Sequence, residues 1–114
     1  MKHSELVENL KKDPLDIVME MTADKADLLH MVIGVAGEAG ELLDAIKKHT
    51  MYDKPLDIVN VVEELGDIEF YLEGIRQALK LSRDYILITN TQKLQKRYAS
   101  GKFSNQQAQD RADK

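Results

Sequence analysis

Residues 26–46 read ADLLHMVIGVAGEAGELLDAI, a stretch whose apolar side chains recur every three or four positions. That spacing is typical of an α-helix. Two apolar stripes run side by side along it, one made by Ala26, Leu29, Ile33, Ala36, Leu43 and Ile46 and the other by Leu28, Val32, Val35, Ala39 and Leu42. Two stripes imply burial on more than one side of the helix, as in a helical bundle or an oligomer.

Helical spacing continues through most of the chain, and only two prolines, Pro14 and Pro55, interrupt it. We therefore predict an all-α fold, a bundle of four main helices plus a short C-terminal helix, completed by oligomerisation. The main helices are expected at about 4–12, 22–50, 55–81 and 83–98, with one or two further turns at 15–21. Pro55 suits the first turn of the third main helix.

Four polar side chains are predicted to cap helices, namely those of Asp13, Thr22, Ser82 and Ser104. The segment YILIT at 85–89 has strand-like composition, so a strand there is the alternative to helix. We expect one domain over residues 1–114, with a tail that is mobile from about residue 99.

Charge and composition exclude several classes of protein. The 114 residues carry 16 Lys and Arg against 20 Asp and Glu, a formal charge of -4, which argues against nucleic acid as the main partner although residues 80–102 are locally basic. The absence of cysteine excludes disulfides, thiolate zinc sites, iron–sulfur clusters and a cysteine nucleophile. The polar N-terminus predicts neither a signal peptide nor a membrane anchor, and we expect a cytoplasmic protein.

Two pairs of acidic residues interrupt the apolar pattern. Glu38 with Glu41, and Glu64 with Asp67, are three positions apart, so each pair shares one helical face and its like charges oppose folding. A short loop between the two helices favours an antiparallel hairpin in which the pairs face each other. Four such carboxylates suit a hard cation, Mg²⁺ or Mn²⁺, although solvated acidic faces are the common alternative.

The same residues resemble a known family. Glu38-x-x-Glu41 followed after 22 residues by Glu64-x-x-Asp67 is similar to the signature of the MazG-like all-α nucleoside triphosphate pyrophosphohydrolases, a superfamily that also contains dimeric dUTPases and phosphoribosyl-ATP pyrophosphohydrolase. The resemblance extends to GVAGEAGELLDAIKK at 34–48, VEELGDIEFYL at 62–72 and the segment Asn90-x-x-Lys93-Leu94-x-x-Arg97-Tyr98. It covers about residues 28–108.

This resemblance implies an enzyme that cleaves a nucleoside triphosphate between the α and β phosphates and releases pyrophosphate. It implies that Mg²⁺ is held by Glu38, Glu41, Glu64 and Asp67, with Glu38 the first candidate for activating the attacking water, and that the protein is a homodimer or homotetramer. It does not single out which nucleotide is the substrate.

Further substrate-binding candidates lie on two helices. Asn90, Lys93 and Arg97 form a polar stripe that binds phosphates if the resemblance holds and is otherwise an ordinary solvated face, and Tyr98 closes the same segment. His30 lies on the edge of Glu38, as a substrate contact or a packing residue. Lys48 lies seven positions after Glu41, as a phosphate ligand or as a favourable cation near a helix C-terminus.

Two other functions compete with hydrolysis. A helical interaction module with solvated acids would show no dependence on Mg²⁺. A di-iron carboxylate bundle would use Glu-x-x-His pairs, and no glutamate in this chain is followed by histidine three residues later.

Overall fold

The computed structural model describes residues 1–114, which form six α-helices and no strand. The helices are α1 His3–Leu10, α2 Pro14–Glu20, α3 Ala23–Met51, α4 Ile58–Leu79, α5 Arg83–Arg97 and α6 Asn105–Asp110. The all-α prediction is confirmed, and residues 85–89 are helical within α5, so the strand alternative is wrong. None of the six helices combines the length and the apolar character needed to cross a membrane.

Four helices begin at the predicted caps. The side-chain oxygens of Asp13, Thr22, Ser82 and Ser104 accept hydrogen bonds from backbone N–H groups two or three residues further on, at 2.9, 3.2, 3.0 and 3.0 Å. Each bond satisfies a donor that the first turn of a helix cannot pair internally, a contribution of about 1 kcal/mol. Local sequence therefore sets where these helices start.

The start of α4 differs from the prediction that Pro55 opens the third main helix. The helix begins at Ile58, and residues 53–57 are irregular. The Asp57 carboxylate accepts a hydrogen bond from the Asn60 N–H at 3.1 Å, and the Asp57 carbonyl accepts one from the Val61 N–H. Asp57 thus caps α4, because an aspartate side chain pairs a free first-turn donor and proline has no side-chain acceptor to do so.

Internal contacts divide the chain into two compact units, residues 1–75 and residues 76–114, and the division falls within α4. The first unit contains α1, α2, α3 and most of α4. The second contains the last turn of α4 with α5 and α6. The single domain over 1–114 and the mobile tail stay predictions.

In the first unit α3 and α4 are antiparallel neighbours joined by a short loop, as the sequence predicts. Gly34 lies under the Tyr71 ring and Gly74 lies under the Met31 side chain, so contacts run in opposite order along the two helices. A Cβ atom on Gly34 would collide with the Tyr71 ring, whereas a Cβ atom on Gly74 would meet the flexible end of the Met31 side chain, which can move aside.

The facing sides of α3 and α4 are partly buried, and they carry the apolar side chains of Leu28, Met31, Val35, Leu42 and Ile46 on α3 and of Val61, Ile68, Leu72 and Ile75 on α4. No residue in the chain is fully buried, and many large apolar side chains remain exposed. The expected core of a domain this size is therefore only partly formed within one chain.

In the second unit α5 packs against α6. The Arg97 guanidinium donates two hydrogen bonds to the Asp113 carboxylate, at 2.7 and 3.1 Å, and their side chains are only 16% and 5% exposed. This ion pair ties the end of the chain to the end of α5. The short C-terminal helix predicted from the Ser104 cap is confirmed as α6.

Candidate metal centre

Three of the four predicted metal ligands come together between α3 and α4. One carboxylate oxygen from each of Glu38, Glu41 and Glu64 lies within 4.8 Å of the others. Glu38 and Glu41 occupy successive turns of α3, and the antiparallel α4 brings Glu64 to the same level. Glu38 and Glu64 are half-buried and Glu41 is exposed, so the cluster opens towards solvent on the side of Glu41.

Two oxygens in this cluster lack any hydrogen-bond partner. They are Oε2 of Glu38 and Oε2 of Glu64, and both atoms are shielded from solvent. A buried carboxylate oxygen without a donor is costly, because the lost hydration is not replaced. These two atoms are available to a cation or to a proton.

Crowding changes the acidity of Glu64. The adjacent Glu38 carboxylate contributes most, followed by desolvation and by Glu41, and together they raise the pKa of Glu64 to about 7 from an ordinary value of 4.5. The cause is that a proton lets Glu64 donate a hydrogen bond to Glu38, whereas two ionised carboxylates only repel each other. A bound divalent cation would relieve the same repulsion.

Asp67, the fourth predicted ligand, is not part of this group. It is exposed on α4 one turn beyond Glu64. Asp67 follows Glu64 by three residues, the same spacing as Glu38 to Glu41, so spacing alone does not distinguish it from the residues of the cluster. Its role as a ligand stays a prediction.

Two weaker candidates lie on α3 on either side of the acids. His30 is exposed and its ring meets the Tyr71 ring edge-on, with centroids 6.2 Å apart. Lys48 forms an exposed ion pair with Asp44 at 3.2 Å, in the last turn of the helix. These are the contacts of a packing histidine and of a cation near a helix C-terminus, and a role of either residue in substrate binding stays a prediction.

The α5 candidates belong to the second unit and are described within it. Asn90 and Lys93 are exposed, and Lys93 lines a surface cavity of about 380 Å³ with Thr89, Gln92, Lys96, Asp113 and Lys114. Arg97 is engaged by Asp113. Tyr98 is half-buried and packs against Phe103, with ring centroids 5.6 Å apart. Phosphate binding by this helix stays a prediction.

Sequence reasoning missed Asp113. The Arg97 guanidinium, with a smaller contribution from Lys93, holds the pKa of Asp113 below its ordinary value. The two residues of the ion pair are sixteen positions apart. No periodicity links them, so the sequence offered no signal of this contact.

The donor set fits a hard divalent cation. Every group in the cluster is a carboxylate oxygen, the ligand type that Mg²⁺ and Mn²⁺ prefer, and Mg²⁺ needs only one or two carboxylates because it keeps several waters. The shielded oxygens of Glu38 and Glu64 are the two atoms that gain most from such a partner. No protein-family model, curated protein or solved structure was found to match this chain.

Proposed function

We propose that this protein hydrolyses a nucleoside triphosphate between the α and β phosphates, in the presence of Mg²⁺, to a nucleoside monophosphate and pyrophosphate. The observation that carries the proposal is the convergence of Glu38, Glu41 and Glu64, with two shielded oxygens that have no partner. The resemblance of the surrounding residues to MazG-like pyrophosphohydrolases supplies the reaction.

The three glutamates would hold the cation, and Asp67 joins them only on the strength of the resemblance. When bound, Mg²⁺ lowers the pKa of a coordinated water and neutralises charge on the phosphate oxygens. Glu38 has a shielded oxygen with no hydrogen-bond partner, and this carboxylate would accept a proton from the attacking water and hold that water in position. Glu64 would hold the cation as a carboxylate, since ligands of this type must be deprotonated.

The open side of the cluster is where a phosphate chain would enter. Glu41 is exposed, whereas the Tyr71 ring packed on Gly34 closes the neighbouring turn of the hairpin. Gly37 lies between Gly34 and Glu41 and has open space where a Cβ would stand. A glycine at that point of α3 allows a ligand to approach the helix backbone.

The direct test is a panel of canonical ribo- and deoxyribonucleoside triphosphates with Mg²⁺, scored for pyrophosphate and for orthophosphate. Wild type should release pyrophosphate and should lose this activity in excess chelator. Glu38→Gln should lower the rate by at least about 100-fold, a usual cost of removing a group that stabilises the transition state. Glu63→Gln is the matched control, since Glu63 is an exposed neighbour outside the cluster.

Three results would contradict the proposal: activity that survives the chelator, orthophosphate as the only product, or equal rates in Glu38→Gln and Glu63→Gln. Absence of hydrolysis across the panel, with no effect of Mg²⁺, would favour the alternative of a helical interaction module.

A further inference from the structure

The two compact units of the chain carry opposite charge. Residues 1–75 contain seven Lys and Arg against 17 Asp and Glu, a formal charge of -10, whereas residues 76–114 contain nine against three, a formal charge of +6. The acidic balance of the whole chain therefore conceals a strongly basic second unit. Such an asymmetry between the halves of a chain is typical of proteins that bind polyanions.

The three acids of the second unit do not neutralise its lysines. Asp113 is held by Arg97, and Asp110 accepts a hydrogen bond from the Gln106 amide at 2.8 Å. Asp84 lies in the first turn of α5, where a negative charge stabilises the helix. The basic charge of this unit is therefore left to face solvent.

Exposed lysines without an ion pair are concentrated in this unit. There are four of them on α5 and in the segment that follows it, namely Lys93, Lys96, Lys102 and Lys114. All but Lys102 line the cavity of about 380 Å³ on α5. Unpaired ammonium groups around one cavity are available to phosphate oxygens.

A second cavity on α5, of about 360 Å³, is predominantly apolar. Its volume is within the range of small-molecule sites, about 300–1,000 Å³. Its apolar walls come from Leu94, Tyr98 and Phe103, and its polar groups from Thr91, Gln95 and Lys102. An apolar cavity with a few polar groups suits a flat heterocyclic ring better than a phosphate group.

A turn after α5 brings Phe103 back to Tyr98. Gly101 makes this turn with a φ of 76°, in the left-handed region that glycine adopts without strain, and its N–H donates a hydrogen bond to the Tyr98 carbonyl at 2.8 Å. The two ring centroids are 5.6 Å apart and the ring planes are tilted by 43°. Tyr98 is half-buried and Phe103 is 71% exposed, so Tyr98 supports a ring that is largely open to a ligand.

An exposed aromatic ring beside unpaired lysines is a combination that binds single-stranded nucleic acid. Lysines contact the phosphates, a base stacks on the ring, and groups such as the Thr91 hydroxyl and the Gln95 amide can pair with the edge of the base. A duplex keeps its bases stacked on one another, so it offers mainly its phosphates to such a surface. A lipid surface would also attract the lysines but would leave the polar groups of the cavity without partners.

We infer that the second unit, residues 76–114, binds single-stranded nucleic acid, with phosphates at Lys93, Lys96 and Lys102 and one base stacked on Phe103. The charge of the first unit conceals this function in the composition of the whole chain. It is independent of the proposed hydrolysis, because it uses neither the glutamate cluster nor a metal ion.

Fluorescence anisotropy of a labelled oligothymidine of about 20 nucleotides, measured with the full chain in excess chelator, tests this binding. Wild type should bind with a Kd of about 1–100 µM at about 50 mM salt, the usual range of non-specific binding. Affinity should fall steeply by about 200 mM salt, because each phosphate contact contributes about 0.7 to the slope of log K against log salt concentration.

Two variants separate the two kinds of contact. Lys96→Gln should weaken binding several-fold and reduce the salt slope by about 0.7. Phe103→Ala should weaken binding by about fivefold or more at every salt concentration and leave the slope unchanged, since stacking is not screened by salt. Lys11→Gln and Phe70→Ala are the matched controls, because they remove an exposed lysine and an exposed phenylalanine from the first unit. Both should bind nearly as wild type does.

Binding that Lys96→Gln and Phe103→Ala both weaken, and that neither control weakens, supports the inference. Absence of binding at about 50 mM salt overturns it, as does equal loss in Lys96→Gln and Lys11→Gln. Unchanged affinity in Phe103→Ala overturns it too. So does binding of thymidine monophosphate, of a duplex of the same length or of anionic lipid vesicles that is as tight as binding of the single strand.

Discussion

Glu64 shows how a helix position that looks ordinary in sequence acquires special chemistry in the fold. In isolation it is one glutamate among many on an amphipathic helix. The antiparallel α3 places Glu38 and Glu41 beside it and shields one of its oxygens, which raises its pKa to about 7. Perturbed carboxylates of this kind are found where a site binds protons or cations.

Stability of the metal-free protein should therefore depend on the protonation of Glu64. Its pKa in the folded state is raised above the unfolded value of 4.5, so the protonated form stabilises the fold fully below about pH 4.5 and this contribution is lost as the pH rises through about 7. Urea unfolding in chelator, compared between pH 5 and pH 8, should show wild type losing more stability than Glu64→Gln. Equal losses in the two proteins would refute the assignment.

Arg97 illustrates the opposite case, a residue whose chemistry is already satisfied. Its guanidinium is held bidentately by Asp113, so any binding of phosphate by Arg97 requires that ion pair to open. Lys93 carries no such constraint in the same helix, since it is exposed. Of the basic residues singled out from the sequence, Lys93 is thus the simpler candidate for an anion.

Within the α3–α4 hairpin, the space around each glycine shows where the two helices pack closely. A Cβ on Gly34 would collide with the Tyr71 ring, whereas Gly66 on α4 has open space around it. In Gly34→Ala, overpacking should therefore lower the free energy of unfolding by about 1–3 kcal/mol. The higher helix propensity of alanine should raise it by about 1 kcal/mol.

We expect Gly34→Ala to lower the free energy of unfolding and Gly66→Ala to raise it by up to about 1 kcal/mol. Urea denaturation in chelator measures both, and the shared chemical change makes each variant the control for the other. A Gly34→Ala protein as stable as Gly66→Ala would show that α3 and α4 do not pack at this point.

Sequence predicted the helices well where the deciding interaction is local. The caps at Asp13, Thr22, Ser82 and Ser104 depend on backbone groups two or three residues away, and all four are present. The start of α4 was predicted three residues too early, because Pro55 and Asp57 are both helix-start signals and only the aspartate offers an acceptor. Rules based on neighbouring residues do not decide which of two helix-start signals, two residues apart, begins the helix.

The convergence of the acidic residues could be predicted only in part, for a different reason. Spacing along α3 was enough to pair Glu38 with Glu41, and a short loop was enough to predict that α4 returns beside them. Which acid of α4 enters the cluster depends on the rotation of α4 about its own axis, and sequence spacing does not specify that rotation. The structure brings in Glu64 and leaves Asp67 outside the cluster.

At the scale of the whole molecule, the chain leaves much of its apolar surface uncovered. No residue is fully buried, and large apolar side chains of α3 such as Ile33 and Leu43 are exposed. Hydrophobic burial is the main favourable term in folding, so we expect that association with further copies would add to the stability of this chain.

Stability should consequently increase with protein concentration. If the folded form is a dimer, a hundredfold increase, from about 1 to 100 µM, favours it by roughly 2.7 kcal/mol and should raise the midpoint of thermal unfolding by several degrees. A wild-type midpoint that is constant over this range would mean that folding and association are not linked.

Binding of a divalent cation by Glu38, Glu41 and Glu64 can be measured without knowing a substrate, by thermal unfolding with and without 10 mM Mg²⁺ at constant ionic strength. A cation that binds the folded state alone raises its stability by mass action. We predict that Mg²⁺ raises the unfolding midpoint of wild type and of Glu63→Gln but leaves that of Glu64→Gln unchanged. Equal midpoints with and without Mg²⁺ in wild type, or an equal increase in Glu64→Gln, would contradict the claim.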